Sequence, residues 1–413
     1  MTIRTSLLLV AACLVIQACA VNEVITAEET ELIVAETVLD EALLMDIGVV
    51  EFSGGLPEDN NAEESGVYEE IRTAEVRYMP YHLKTTLQGT GHWGAVRVIP
   101  SPDAFTDIIV NGAIAQSDGE FITLNISVGD SRGQHWYSKS YSTQTGISSY
   151  SENRDRREDP YQKVFNDISN DLRRYVEQLS AKAVHEIRQV TELKFFADMS
   201  PKNFGEHLGT SENGTFAIVR LPAENDPSVD RLRQIRERDR LVVDTLNEHY
   251  ANFYYGIAIP YHSWRKTSRE ESINYRQVKR AATMQTILGA VVIAGALAVD
   301  TSSSNSSTSR MNRSLQNIAI GEGFQTMMEG ITRRNEAGMH RESIKELSES
   351  FGAEAAPMVV TVEGETRRLT GTAAAQYESW RRLLKQIYEA ETGFVETSDA
   401  VDPGPVRIPE PAG

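Results

Sequence analysis

The side chains that could do chemistry are few. Two cysteines, Cys13 and Cys19, eight scattered histidines and one glycine-rich hexapeptide make up the set. Gly89-Thr-Gly91-His-Trp-Gly94 matches G-x-G-x-x-G letter for letter. That pattern cradles a pyrophosphate when it follows a strand and opens a helix, because backbone N–H groups and the positive helix end then face the phosphate. Here a helical pattern precedes it and a strand pattern follows. The order is inverted, and Gly89 is expected to cap a helix C-terminus instead. His82, His92, His249 and His262 show no chelating spacing with carboxylates on one helical face. No H-E-x-x-H, G-x-S-x-G, phosphate-loop or paired-carboxylate signature occurs. No catalytic residue, metal or cofactor is expected, and the chain is not expected to be an enzyme.

Cys19 carries a different chemistry. Arg4 precedes the apolar run Leu7–Ile16, which ends in Ile16-Gln17-Ala18-Cys19. An apolar core of about ten residues is too short to span a ~30 Å hydrocarbon layer and has the form of a removable export signal. The four closing residues resemble the lipobox of bacterial lipoproteins, apolar at −3, small at −1 and cysteine at +1, with Gln17 less usual at −2. The resemblance implies a signal peptide over 1–18, cleavage before Cys19 and acylation of Cys19, palmitate included. Several acyl chains at about 0.8 kcal/mol per buried methylene anchor a protein firmly. The other reading is an ordinary signal cut at Ala18 or Ala20. Cys13 falls inside the signal, so the exported chain has no thiol left for a disulfide, a metal or a nucleophile. In a Gram-negative host, Ala20 rather than Asp after the cysteine implies the outer membrane, with the body in the periplasm.

Net charge is −18. Such a surface disfavours nucleic acid and offers no basic handle to anionic lipid. The expected partners are the membrane, through lipid on Cys19, other proteins, and further copies of the chain.

The elements that must position these residues follow from periodicity. Residues 19–45 read as a tether with a short helix around Leu32, Ala35, Val38 and Leu39. A strand at Ile47–Phe52 and a loop over 53–65 precede a helix over 67–88, interrupted near Pro80. Strands are expected at 95–99, 107–116, 121–129 and 134–141, with turns at Asp118-Gly119 and Asp130–Gly133. One long amphipathic helix covers Tyr161–Ile187. The order β-α-β-β-β-β-α makes the region 46–190 a two-layer α/β sandwich.

A connecting segment, 191–225, holds a short strand at Phe216–Leu221. The mainly helical region 226–300 follows, interrupted by an aromatic patch at 253–264 and ending in the apolar helix 287–299. A Ser-rich linker over 301–313 leads to helices and a β-hairpin, 358–371, within 314–395. The tail, 396–413, is expected to be disordered. The fold class is thus α+β, a sandwich followed by helices and a small hairpin.

Within the sandwich, the run Phe105-Thr-Asp-Ile-Ile-Val-Asn-Gly112, the meander after it and Asp130 at a turn resemble the domain of curli-secretion-type lipoproteins and of the amino-terminal part of the Tol-system propeller protein. The resemblance implies an assembly or binding module rather than an enzyme.

Two surfaces are candidate contacts. Gly289, Ala290, Ala294, Gly295 and Ala298 would let helices approach closely, between copies or at a membrane. At 1.5 Å per residue the apolar helix 287–299 spans about 20 Å, too short for an ordinary membrane crossing; its plainer role is a buried helix. Tyr254, Tyr255, Tyr261 and Trp264 could stack on glycan or peptide in a groove, or simply be core. The expected function is a non-enzymatic envelope lipoprotein acting in a secretion, transport or envelope-maintenance assembly. The alternatives are a cell-wall or glycan-binding lipoprotein using the patch 253–264 and, more remotely, an uncharacterised hydrolase.

Overall fold

The computed structural model describes residues 29–54, 68–101, 105–146, 148–151, 158–297, 339, 341–346, 349, 358–362, 365–392 and 406–407, with side chains of the longest helix described as far as 273. The signal segment, Cys19, Ala298, the linker 301–313 and most of the tail lie outside the described residues, as do the side chains of Gly289, Ala290, Ala294 and Gly295.

The order β-α-β-β-β-β-α is present. Strand β1 is Ile47–Val50, and β2 is the short Ser53–Gly54, inside the stretch expected to be loop. Helix α1 is Glu69–Gly89. Strands β3 (Val96–Ile99), β4 (Ile108–Ser117), β5 (Phe121–Asp130) and β6 (His135–Gln144) follow, then α2, Gln162–Val176. The sheet runs β3-β1-β4-β5-β6, with β2 on β4. Strand β1 lies parallel to β3 and β4, placing Val49 between Val98 and Val110, whereas β4, β5 and β6 form the antiparallel meander. Alternation along β5 buries Ile122, Leu124, Ile126 and Val128 on one face. Helix α1 covers β1, β2 and β3, and α2 covers β6, so the apolar faces of sheet and helices share one core.

Pro80 does not interrupt α1. It removes the N–H that the Val76 carbonyl would accept four residues back, and that carbonyl instead accepts the Phe52 N–H at 3.0 Å. The break is thus turned into a tie between α1 and the strand region. At the far end, Gly89 is the last helical residue, Thr90 is the cap, and Gly91 takes the left-handed φ of +71°. The glycine that the turn requires is Gly91, not Gly89.

The helix expected over 161–187 is two helices. It ends at Val176, and α3, Ala181–Met199, starts afresh at Ser180, whose hydroxyl accepts the Ala183 N–H at 3.2 Å. The apolar spacing continues across the break because both helices pack on the same core, which hid it from periodicity. Helix α3 passes through the expected boundary at 190/191. After it, β7 (Leu208–Thr210) pairs with β8 (Phe216–Ile218), shorter than the strand expected over 216–221.

Helix α4, Pro227–Leu297, is continuous over 71 residues. The aromatic patch does not interrupt it, and Pro260 lies within it. Buried residues at 229, 232, 235, 239, 243, 246, 250, 253, 257, 261 and 264 keep one stripe against the body, so packing on both sides of Pro260 holds the helix course. Strands β9 (Met358–Val362) and β10 (Glu365–Leu369) form the expected hairpin. Helix α5, Ala373–Thr392, packs on the first part of α4, where the Trp380 indole donates to Asp239 at 3.1 Å. In the tail, Val406–Arg407 forms a short strand, β11, parallel to β7.

Helix α4 also closes an edge of the main sheet. The Asn247 side chain donates to the Val98 carbonyl at 3.0 Å and accepts the Val98 N–H at 2.8 Å, the two bonds a neighbouring strand would make. Beside it, Arg97 forms a two-pronged pair with Asp244 at 2.6 and 3.0 Å. Asn247→Leu leaves both Val98 backbone groups unpaired and is expected to lower unfolding stability by about 2 kcal/mol, measured by chemical denaturation.

Candidate functional site: a buried ionic junction beneath the long helix

The chemistry-bearing side chains converge where α4 crosses α1 and the β4–β5 turn. Helix α1 contributes Arg72, Glu75, Tyr78 and His82 from one face, and α4 contributes Tyr254, Tyr261, Trp264 and Arg265. Asp159 and Tyr161 come from the segment leading into α2. All but Tyr254 are buried. Arg265 and Asp159 form a two-pronged ion pair at 2.8 and 2.9 Å, with side chains 2% and 4% exposed. The guanidinium lies 4.2 Å from the Tyr261 ring centre and 5.1 Å from that of Tyr161, so aromatic faces stand in for lost water.

Around this pair runs a second set of bonds. One Glu75 oxygen accepts from the Ser117 hydroxyl at 2.5 Å and from the Tyr261 hydroxyl at 2.6 Å, and its carboxylate faces Arg72 at 3.3 Å. Arg72 in turn donates to the Ile114 carbonyl at 3.0 Å. The Asp118-Gly119 turn presses on α4. Gly119 has φ +87°, and a Cβ there would collide with the Arg265 carbonyl oxygen. Its N–H donates to the Tyr161 hydroxyl at 2.8 Å, and Ser268 donates to the Asp118 carbonyl at 2.9 Å.

Burial alone would raise the Asp159 pKa. The Arg265 charge and hydrogen bonds, with the field of His82, reverse that and hold it well below the usual carboxylate range. Arg265 is pushed upward, since Asp159 and the surrounding tyrosines outweigh its own desolvation. For Glu75 burial prevails, and its pKa rises despite Arg72, Ser117 and Tyr261. His82 is lowered by burial against the opposing pull of Asp159 and Gln162. Its Nδ1 lies 2.7 Å from the Tyr254 hydroxyl and its Nε2 lies 2.9 Å from the Gln162 amide oxygen. Every one of these groups has its partners inside the fold.

The expected ligand contacts do not form a groove. Tyr261 and Trp264 are 0% and 1% exposed and stack on each other, Tyr254 packs on Tyr78 and Tyr81, and Tyr255 alone faces out, at 66%. The patch is the arm of α4 that enters the junction. Among the described residues, no group of three or more His, Cys, Asp or Glu could hold a metal ion. Glu75, Asp159 and Arg265 went unnoticed in the sequence; Asp159 and Arg265 sit 106 positions apart, and the only signal was a charged residue within an aromatic stripe.

No protein-family model matches the chain, and no curated protein matches it. Among solved structures, a dodecameric PelC variant from Paraburkholderia phytofirmans is similar at 18% identity, with a TM-score of 0.17 over 38% of this chain and 98% of that chain. So low a score bears on neither fold nor function.

Arg265→Met strands the Asp159 charge and is expected to cost about 3–5 kcal/mol, whereas adding Asp159→Leu recovers most of that loss; urea melts of the two single variants and the double variant measure it. A pH series checks His82. Its folded pKa lies below its unfolded value of about 6.5, so the unfolded chain binds the extra proton and stability falls as pH drops below about 6.5. His82→Gln, which keeps a donor and an acceptor, is expected to flatten stability against pH between 7.5 and 5.

Proposed function

We propose that the protein is a non-enzymatic, lipid-anchored envelope component that assembles with other proteins, and that α4 carries its assembly surface. The continuity of α4 is the observation behind this reading. At 1.5 Å per residue the helix is about 105 Å long, more than three times the breadth of a small domain. Its first part is fixed to the body by the edge-capping Asn247 and the ionic junction, with buried residues as far as Arg269. The same helix continues to Leu297 and carries Gly289, Ala290, Ala294 and Gly295. Small residues at that spacing admit a second helix at short range. Among the described residues no helix is long and apolar enough to cross a membrane.

Glu75 is bonded to Ser117, Tyr261 and Arg72, Asp159 to Arg265, and His82 to Tyr254 and Gln162, which favours a structural use of them over catalysis. The glycan-binding alternative finds little support in the burial of Tyr261 and Trp264. The resemblance of 46–190 to curli-secretion-type domains points toward assembly as well. Lipid on Cys19 would hold this body at the outer membrane, on the periplasmic side. Mass photometry of the detergent-solubilised full chain tests the assembly surface. The wild type is expected to be oligomeric, and Ala294→Glu to shift it to monomer with unchanged circular dichroism; equal masses for the two proteins would sink the reading.

A further inference from the structure

Three amide side chains on α2, Gln162, Asn166 and Asn170, recur every four residues and so share one line along the helix. Asn166 donates to the Thr30 carbonyl at 2.7 Å, and Asn170 donates to the Glu31 carbonyl at 2.8 Å. Asn170 also accepts the Ile33 N–H at 2.8 Å. From the end of α1, the Thr90 carbonyl accepts the Ala35 N–H at 2.8 Å. Residues 29–35 are therefore not helical around Leu32 and Ala35 as their spacing predicts, and among the described residues of this region the helical turn is Glu41–Leu43. Every bond holding this segment goes to its main chain. Of its larger side chains, Ile33 and Val34 point outward, 37% and 53% exposed, and Leu32 is half-buried, whereas Asn170 and Thr90 are each 2% exposed. The receiving groups are built in; the segment lies on them.

We propose that the channel between α2 and the C-terminal end of α1 is a seat for an extended peptide recognised through its backbone, filled by the chain's own residues 30–35. The seat fixes the point at which the chain leading to Thr30 leaves the body. Given the lipid-anchor reading above, on which this consequence rests, it also sets the stand-off from the membrane. About eleven residues from Cys19 to Thr30 reach no more than about 40 Å when fully extended, whereas release of the segment back to Glu41, whose carbonyl Arg188 still holds at 2.9 Å, allows about 80 Å.

Hydrogen exchange on the full chain tests the seat. The Ile33 and Ala35 amides are expected to be protected in the wild type. Asn166→Ala with Asn170→Ala is expected to reduce that protection at least tenfold, with β4 and β5 unchanged. Ile33→Pro lies on the exposed segment, removes the N–H without touching the core, and is expected to release the segment in the same way. Ile33→Ser keeps the N–H and leaves protection intact. Unprotected wild-type amides, or protection that survives Ile33→Pro, overturn the proposal. Neutron reflectometry on supported bilayers then reads stand-off, expected within about 40 Å for the wild type and larger for Ile33→Pro. Equal stand-off for these two overturns the consequence. Cys19→Ser separates the two readings: bilayer binding that persists in it defeats the anchor, while its exchange pattern still reports on the seat.

Discussion

A guanidinium and a carboxylate survive together in a protein interior only when most of their lost hydration is replaced; here the Arg265 Nε alone of the pair is left without a hydrogen bond. For Arg265 and Asp159 the replacement comes from four parts of the chain at once. Helix α4 supplies the cation and the Tyr261 face, and the segment before α2 supplies the anion and Tyr161. Helix α1 adds Tyr78, within reach of Asp159 at 3.4 Å, and the β4–β5 turn closes the top through Gly119. Such a pair contributes little net stability over an apolar filling, but it is intolerant of misplacement, because either charge left alone in the interior is severely penalised. Its worth lies in register. A long helix packed by an apolar stripe can slide by a turn at modest cost; one that must deliver a single guanidinium to a single carboxylate cannot.

That constraint makes the remaining contacts of α4 consistent with one another. Once Arg265 is fixed, the stripe places Asn247 five turns earlier, opposite the unpaired edge of β3, where its amide takes the place of a strand. Tyr250 then meets Glu51 at 2.6 Å, and Asp239 meets Trp380 of α5 at 3.1 Å. The helix thereby acts as a spine to which the sheet, α1 and α5 are separately bonded. Because the helical backbone runs unbroken to Leu297, the heading of the apolar segment is set by the same junction.

The sheet and its two covering helices were legible in sequence because their signals are local. Alternation in β5 and apolar spacing in α1 and α2 each occupy a single stretch of chain. The errors fall where a distant group decides. Pro80 would end an isolated helix, but Phe52 takes up the freed carbonyl. The segment 29–35 has weakly helical spacing, but amides more than 130 residues away claim its backbone. Tyr254, Tyr261 and Trp264 stood out correctly as unusual, yet aromatic clustering alone does not distinguish a binding face from a cage around a buried cation. The feature that does, Arg265 inside that stripe, has meaning only once Asp159 is known to face it.

The direction of the bonds along α2 explains why the seat reads a backbone. Gln162 turns its oxygen toward His82 Nε2 and its NH2 toward Asn166, whose oxygen accepts at 2.8 Å. Asn166 then has only its own NH2 left to present, and it donates to the Thr30 carbonyl. A series of amides with this polarity must begin at a donor and end at an acceptor. The donor is the Nε2–H of His82, and with burial favouring the neutral imidazole, Nδ1 accepts from Tyr254. The acceptor at the far end can be any peptide carbonyl, which every residue carries. The burial that keeps His82 uncharged in the junction and the main-chain recognition of residues 30–35 are thus two ends of one hydrogen-bonded line.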